Sequence, residues 1–354
     1  MLPEGVERFI RSPREEHFEE AALEAFAFQF SRVEPIRRFC ERRGSVPASV
    51  ASWTEIPAVP ASIFKSVDLF AAPPQAVFES SGTTQGDRRS AHHHPFLELY
   101  RTVIDSSFPT FCLPRGDRPP MLSLIPKAEL APESSLSFMV EHVLDTFGAE
   151  ASVNAVGPRG IEPATLRSWL GARQRAGTPC FILATALSLH QCLDGLDRLG
   201  LSFRLPPGSA IFETGGFKTR TQELDRAHLH DRVEQRLGLS VANVVEEYGM
   251  TELTSQAYTR TLLGGAEGLF VCPPWMKARI LDPATLDEVS EGGDGLLALF
   301  DLANIGSALH LLTEDIARKE EGGFRLTGRA TGAELRGCSL TAEDLAQGPL
   351  RQAP

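Results

Sequence analysis

Apolar residues in HFEEAALEAFAFQFSRVEPIRRFCERRG, His17 to Gly44, return at helical spacing, and the run stops at Arg43-Gly44. The spacing predicts helices with Phe18, Ala22, Phe26, Phe30 and Val33 on a buried face. Proline then interrupts the pattern. Pro57, Pro60, Pro73 and Pro74 in IPAVPASIFKSVDLFAAPPQAVFESSG favour extended backbone and short segments, a connector leading into a strand. From Ala76 to about Gly265, apolar runs such as MLSLIP, CFILAT and SAIFETGG alternate with helical stretches such as LSFMVEHVLDTFG and AHLHDRVEQRLG. That alternation predicts an α/β fold with much parallel sheet. Beyond Gly265, strand-like runs are cut by Asp-Pro, Gly-Gly and Gly-Asp-Gly turns, which predicts a smaller antiparallel subdomain. The expected organisation is a helical and connector segment over 1–75, an α/β core over 76–265, a β-rich subdomain over 266–329, and a short tail over 330–354 carrying Cys338.

Composition narrows the partners. A chain of 354 residues, 42% apolar and 23% charged, is that of a folded protein. Its net charge of -11 offers no broad basic surface for nucleic acid or anionic lipid, so a small-molecule substrate is expected. The N-terminal MLPEGVERFIRSPREEHFEE is charged from the start, and no later stretch is apolar enough to span a membrane; a cytoplasmic protein is expected. Cysteines 40, 112, 180, 192, 272 and 338 are scattered without a C-x-x-C pair, which suggests neither a zinc site nor a disulfide framework.

Two stretches carry chemistry. In FESSGTTQGDRR, Gly82 and Gly86 can take conformations that other residues avoid, while Ser80, Ser81, Thr83 and Thr84 offer hydroxyls beside backbone N–H groups. Such a loop can wrap phosphate oxygens, yet it lacks the G-x-x-x-x-G-K-[ST] pattern, and composition alone favours a solvated strand-to-helix turn. In VVEEYGMTELTSQAY an apolar run ends in acids, a tyrosine and a glycine. There Tyr248 could stack on a base, Thr251 bond a phosphate and Glu252 hold Mg²⁺; the alternative is a helix start capped by Thr251. In SAHHHPF, strand alternation keeps His92, His93 and His94 from all facing one site, and metal binding there is not expected.

Together, SSGTTQG and YGMTE resemble the paired signatures of adenylate-forming enzymes, the acyl-CoA synthetase, luciferase and peptide-synthetase adenylation superfamily. ETGGFKTR, TEDIA and TGRATGAELRG follow in the family's order, so the similarity spans roughly Phe78 to Arg329. Within it the chain is most similar to the acyl-protein synthetases of bacterial luminescence operons, through AFAFQF, IPAVPASIFKS and ETGGFKTR. The resemblance implies an α/β large N-terminal domain of layered sheets and helices, with a small β-rich subdomain and a truncated C-terminal tail. It also implies ATP and Mg²⁺, with Glu252 as metal ligand and Ser80, Ser81, Gly82, Thr83, Thr84 and Gly86 around the pyrophosphate. Gly215 and Gly216 then approach adenine, Tyr248, Gly249 and Thr251 line the nucleotide, Asp315 binds the ribose, and Arg329 sits at the domain hinge.

The reaction so implied is activation of a carboxylic acid, of fatty type in that family, to an acyl-adenylate, then thioester formation on Cys338 for transfer to an acyl reductase or other acyl acceptor. The alternatives are a ligase of the phenylacetate type using coenzyme A, and a non-catalytic protein that binds nucleotide or acyl-adenylate. Arg336 lies two residues before Cys338 and would favour the thiolate if it approaches in space. Typical superfamily members continue past the hinge and supply a lysine for adenylation, whereas a short tail follows Arg329 here. Cationic help at the α-phosphate is therefore expected from Lys218, Arg220, Lys277 or a partner chain.

Overall fold

The computed structural model describes residues 3–81, 88–215 and 226–330. The chain divides into two compact units, each assembled from separated segments: 1–106 with 250–256 and 271–354, and 107–249 with 257–270.

In the first unit the predicted helical run becomes Phe18–Arg32 and Glu34–Arg42, split at Val33 with Pro35 in the first turn of the second helix, where its missing N–H costs nothing. Phe18, Ala22, Phe26 and Val33 are buried as expected; Phe30 is only half-buried, and Ala21, Ala25 and Gln29 complete the inward face instead. The stripe drifts because 3.6 residues per turn do not return every fourth residue to one line. Phe18 packs edge-on to Trp53 and Phe300 at 5.8 and 6.0 Å. Burying each such ring is worth about 1.5–3 kcal/mol, so this cluster anchors the helices to the strands below.

Those strands are Met276–Leu281, Asp294–Asp301, His310–Glu320 and Gly323–Arg329, paired antiparallel in sequence order. The proline-rich connector joins them: Val59–Pro60 pairs in parallel with Leu311–Leu312, so the segment is part of the sheet and not a free linker. A separate hairpin, Ala76–Glu79 with Ala91–His94, carries the serine-rich loop.

The second unit has the predicted parallel sheet. Its strands run in the order Ala257–Thr259, Val244–Tyr248, Ala210–Thr214, Phe181–Thr185, Met121–Ser123 and Val153–Asn154, all parallel except the first. Helix Ala186–Arg198 starts on a reciprocal cap, in which the Thr185 hydroxyl accepts from Ser188 N at 3.0 Å and Ser188 Oγ accepts from Thr185 N at 2.9 Å. Leu122, Ile182, Ile211, Leu189, Leu193 and Val233 fill the space between strands and helices. No helix among the described residues is long and apolar enough to cross a membrane.

Candidate active site

The serine-rich loop springs from a pinned base. Ser80 N donates to Ser90 O and Ser90 N donates to Ser80 Oγ, both at 3.0 Å, so the hairpin closes one residue pair beyond its last ladder rung. Ser81 is exposed beside it. Gly82, Thr83, Thr84 and Gly86 lie outside the described residues.

Glu252, far along the chain, meets this base through Ser90. It is buried, and the Ser90 hydroxyl donates to its carboxylate. Burial raises its pKa; the Ser90 bond and its own backbone N–H act the other way, as does Lys65, while Glu314 adds to the rise. Glu252 has no ion pair among the described residues, where no cluster of three or more His, Cys, Asp or Glu could hold a metal either. A single carboxylate oxygen donor of this kind suits Mg²⁺, which is commonly held by one or two carboxylates together with phosphate oxygens and water.

The segment from Met250 to Gln256 is not the start of a helix; it is a turn, which removes the helix-cap reading of Thr251. Side chains of the same unit fix it. His92 Nδ1–H donates to Thr251 O at 2.8 Å, which makes Nε2 of the neutral ring the acceptor for the Ser307 hydroxyl at 2.9 Å. Burial lowers the His92 pKa to about 4, so the ring stays neutral and keeps this tautomer near neutral pH. His94, on the same strand face, meets Thr254 Oγ1 at 3.1 Å, while His93 points away towards Asp68, as alternation requires.

Asn304 Nδ2 donates to Glu252 O at 2.9 Å, and Thr254 Oγ1 donates to Asn304 Oδ1 at 2.9 Å. Beneath them Asp301 accepts from Ser255 Oγ (2.7 Å), Ser255 N (2.8 Å), Thr254 N (3.2 Å) and Ala303 N (3.0 Å). Full burial still outweighs four donors and lifts its pKa to about 6. Nothing in the sequence marked Asp301 or Asn304, because an acid before Leu302 reads as an ordinary strand end.

Asp315 and Arg329 face each other across adjacent strands. Arg329 Nε lies 3.9 Å from Asp315 Oδ1, while its Nη2 bonds Glu314 at 3.1 Å. Both side chains are accessible to a ligand, at 30% and 53% exposure.

Within the second unit Tyr248 is buried, its ring edge-on to Phe270 at 6.1 Å, and Gly249 after it is exposed. Just past the neighbouring strand Ala210–Thr214, Gly215 has φ +92°, a conformation that strains any other residue. Gly216, Lys218 and Arg220 lie outside the described residues. The strand register sets Glu246 beside Glu213 and Glu247 beside Thr214. Glu246 pairs with Arg226 and Glu213 with His230 at 3.0 Å, both partners coming from helix Arg226–Leu237.

Among the described residues Glu247 has only the Thr214 hydroxyl as donor, and burial raises its pKa from 4.5 to about 7. Because the folded pKa exceeds the unfolded one, its contribution is favourable below pH 4.5 and is lost as pH rises through about 7. Glu247→Gln is therefore expected to be more stable than wild type at pH 8, by at most about 3 kcal/mol, with the gap closing towards pH 4.5. Urea unfolding at both pH values checks this; a pH-independent difference would contradict it.

Cys40, Cys112, Cys180 and Cys192 are buried and Cys272 is partly so. Burial raises all five thiols, Cys40, Cys192 and Cys272 to about 12, which makes them poor nucleophiles. Cys338 and Arg336 lie outside the described residues. Lys277 is engaged elsewhere: its Nζ bonds Glu15 at 2.6 Å and sits 4.8 Å from the Phe18 ring centroid.

The family model described as acyl-protein synthetase, LuxE, matches residues 175–346. That match covers just under half of the chain, and similarity to two named relatives extends over most of it. A long-chain-fatty-acid–luciferin-component ligase of Vibrio harveyi is 26% identical over 333 residues, 90% of this chain and 85% of the relative. Its counterpart in Aliivibrio fischeri is 23% identical over 328 residues, 88% of this chain and 84% of the relative. Among solved structures, an open conformation of 2-hydroxyisobutyryl-CoA ligase with 2-HIB-AMP and CoA matches with TM-score 0.66 at 14% identity, over 90% of this chain and 70% of that one. ATP-bound MatB from Rhodopseudomonas palustris matches with TM-score 0.50 at 16% identity, over 80% of this chain and 52% of that one. The fold is that of the adenylate-forming ligases.

Proposed function

We propose that this relative of the acyl-protein synthetases is an ATP-dependent, AMP-forming acid–thiol ligase. It activates a carboxylic acid, of fatty type as in the named relatives, and carries the acyl group as a thioester on Cys338. The observation that supports this best is the junction of Glu252, Ser90 and Ser80, which brings the base of the serine-rich loop against a buried carboxylate with no ion pair of its own among the described residues.

In the first step a carboxylate oxygen of the acid attacks the α-phosphorus of ATP, the bond to the β-phosphate oxygen breaks, and pyrophosphate leaves. Mg²⁺ held by Glu252 would neutralise charge on the phosphate oxygens. This chain's own part is to position: His92, Asn304 and Asp301 fix the Thr251–Ser255 turn, and Ser80 with Ser90 fixes the loop base. Asp315 is available for the ribose hydroxyls. In the second step the Cys338 thiolate attacks the acyl carbonyl and AMP leaves, so the anhydride's energy is kept as a thioester. The five raised thiols elsewhere support Cys338 for this role. The acyl group then passes to an acyl reductase or another acceptor protein.

The test is exchange of labelled pyrophosphate into ATP with a panel of straight-chain carboxylic acids. Exchange that depends on the acid is expected. Nucleotide binding without exchange for any chain length would instead favour a binding protein that retains the fold without the reaction.

A further inference from the structure

We infer that Lys65 contacts the polyphosphate of ATP and supplies positive charge that the adenylation site needs. The inference rests on the ATP-dependent reading above, and concerns a residue that lies in the proline-rich connector and within IPAVPASIFKS, to which the sequence analysis assigned no role.

Geometry leads to it by three contacts within one unit. Val59–Pro60 is fixed in parallel register against Leu311–Leu312, and the chain turns at once through the short helix Ala61–Lys65, whose Ile63 and Phe64 are buried. The Phe64 ring then meets His92 edge-on at 5.5 Å. His92 in turn holds the Thr251 carbonyl at 2.8 Å. Lys65 and Glu252 are thus the next residues along two segments locked together through His92, and the Lys65 ammonium acts electrostatically on the Glu252 carboxylate.

It acts without closing on it. Lys65 is half-buried and makes no side-chain hydrogen bond or ion pair among the described residues. A cation held near a buried carboxylate, yet outside contact, leaves room for a third charged group between or beside them. The other groups there are acidic: Glu314 acts on Glu252, and Asp315 follows it. Arg329 is bonded to Glu314, and Lys277 to Glu15. An anion as highly charged as ATP entering beside Glu252, Glu314 and Asp315 needs a cation from the protein as well as its metal, and among the described residues Lys65 acts on Glu252 from a position to provide it. A lysine, as a compact point charge on a flexible stem, suits a phosphate whose charge shifts during reaction.

Calorimetric titration of the full chain with MgATP and, separately, with AMP tests this. Lys65→Ala is expected to weaken MgATP binding by about tenfold or more while changing AMP binding less than about twofold, and Lys65→Arg to restore most of the loss. A second comparison removes the counter-ion explanation: in the Glu252→Gln background, metal-free ATP should still bind more weakly when Lys65 is also Ala. Equal MgATP affinity in wild type and Lys65→Ala, an equal loss for AMP and ATP, or no loss in the Glu252→Gln background would each overturn the inference. Wild type that fails to bind ATP at all would instead remove the reading on which it rests.

Discussion

Cys338→Ala is expected to leave acid-dependent pyrophosphate exchange close to wild type and to abolish acyl transfer to the protein. Incubated with ATP, Mg²⁺ and an accepted acid, wild type should gain the mass of one acyl group, labile to hydroxylamine as a thioester is, and the variant none. The separation follows from the two-step scheme, since exchange reports only formation and reversal of the anhydride. The remaining five cysteines make poor substitutes, because desolvation by the surrounding apolar side chains opposes ionisation of each thiol. Residual acylation in the variant would move the nucleophile to another residue. Acyl-coenzyme A production without any protein-bound acyl group would replace self-acylation by a ligase with a diffusible thiol acceptor.

The elements of this fold were legible wherever one face of a segment meets the core. Phe18, Ala22 and Phe26 could be read as buried from their spacing, and CFILAT and SAIFETGG as strands from continuous apolar runs. The candidate site could be read only where residue types cluster: SSGTTQG and EYGMTE stand out, and of these Ser80 approaches Glu252 through Ser90, while 82–87 lie outside the described residues.

What escaped is what tertiary contacts decide. Lys65 sits in a stretch whose prolines predict a connector leading into a strand, and nothing local reveals that Val59 and Pro60 pair with Leu311 and Leu312. Asp301 and Asn304 were silent for the same reason, since their value lies in donors and acceptors brought from Thr254, Ser255 and Glu252. The histidine triplet shows the converse. Alternation correctly kept the three rings from sharing one site, but that His92 fixes the turn before Glu252 depends on a contact across 159 residues.

Glu252→Gln is expected to lower the rate of acid-dependent pyrophosphate exchange by about 100-fold or more, the scale of losing a principal charge-stabilising group. The amide is nearly isosteric and can still accept from the Ser90 hydroxyl, so the loss would come from the missing negative charge and metal ligand and not from a cavity. Stability should move the other way. Burial raises the Glu252 pKa, so ionisation weakens the folded state as pH rises through the folded pKa, and a neutral amide removes that penalty. The variant should therefore unfold at the same or higher urea concentration than wild type at pH 8, with the advantage shrinking as pH falls towards the unfolded carboxyl range. Opposed signs separate a functional carboxylate from a structural one, because a residue kept for packing would lose stability and activity together. A fall in the apparent affinity for Mg²⁺, measured as the metal concentration giving half-maximal exchange, is the third sign expected of a ligand. Wild-type exchange in Glu252→Gln would take the carboxylate out of the reaction and leave Lys65 without the anion and metal it is set beside.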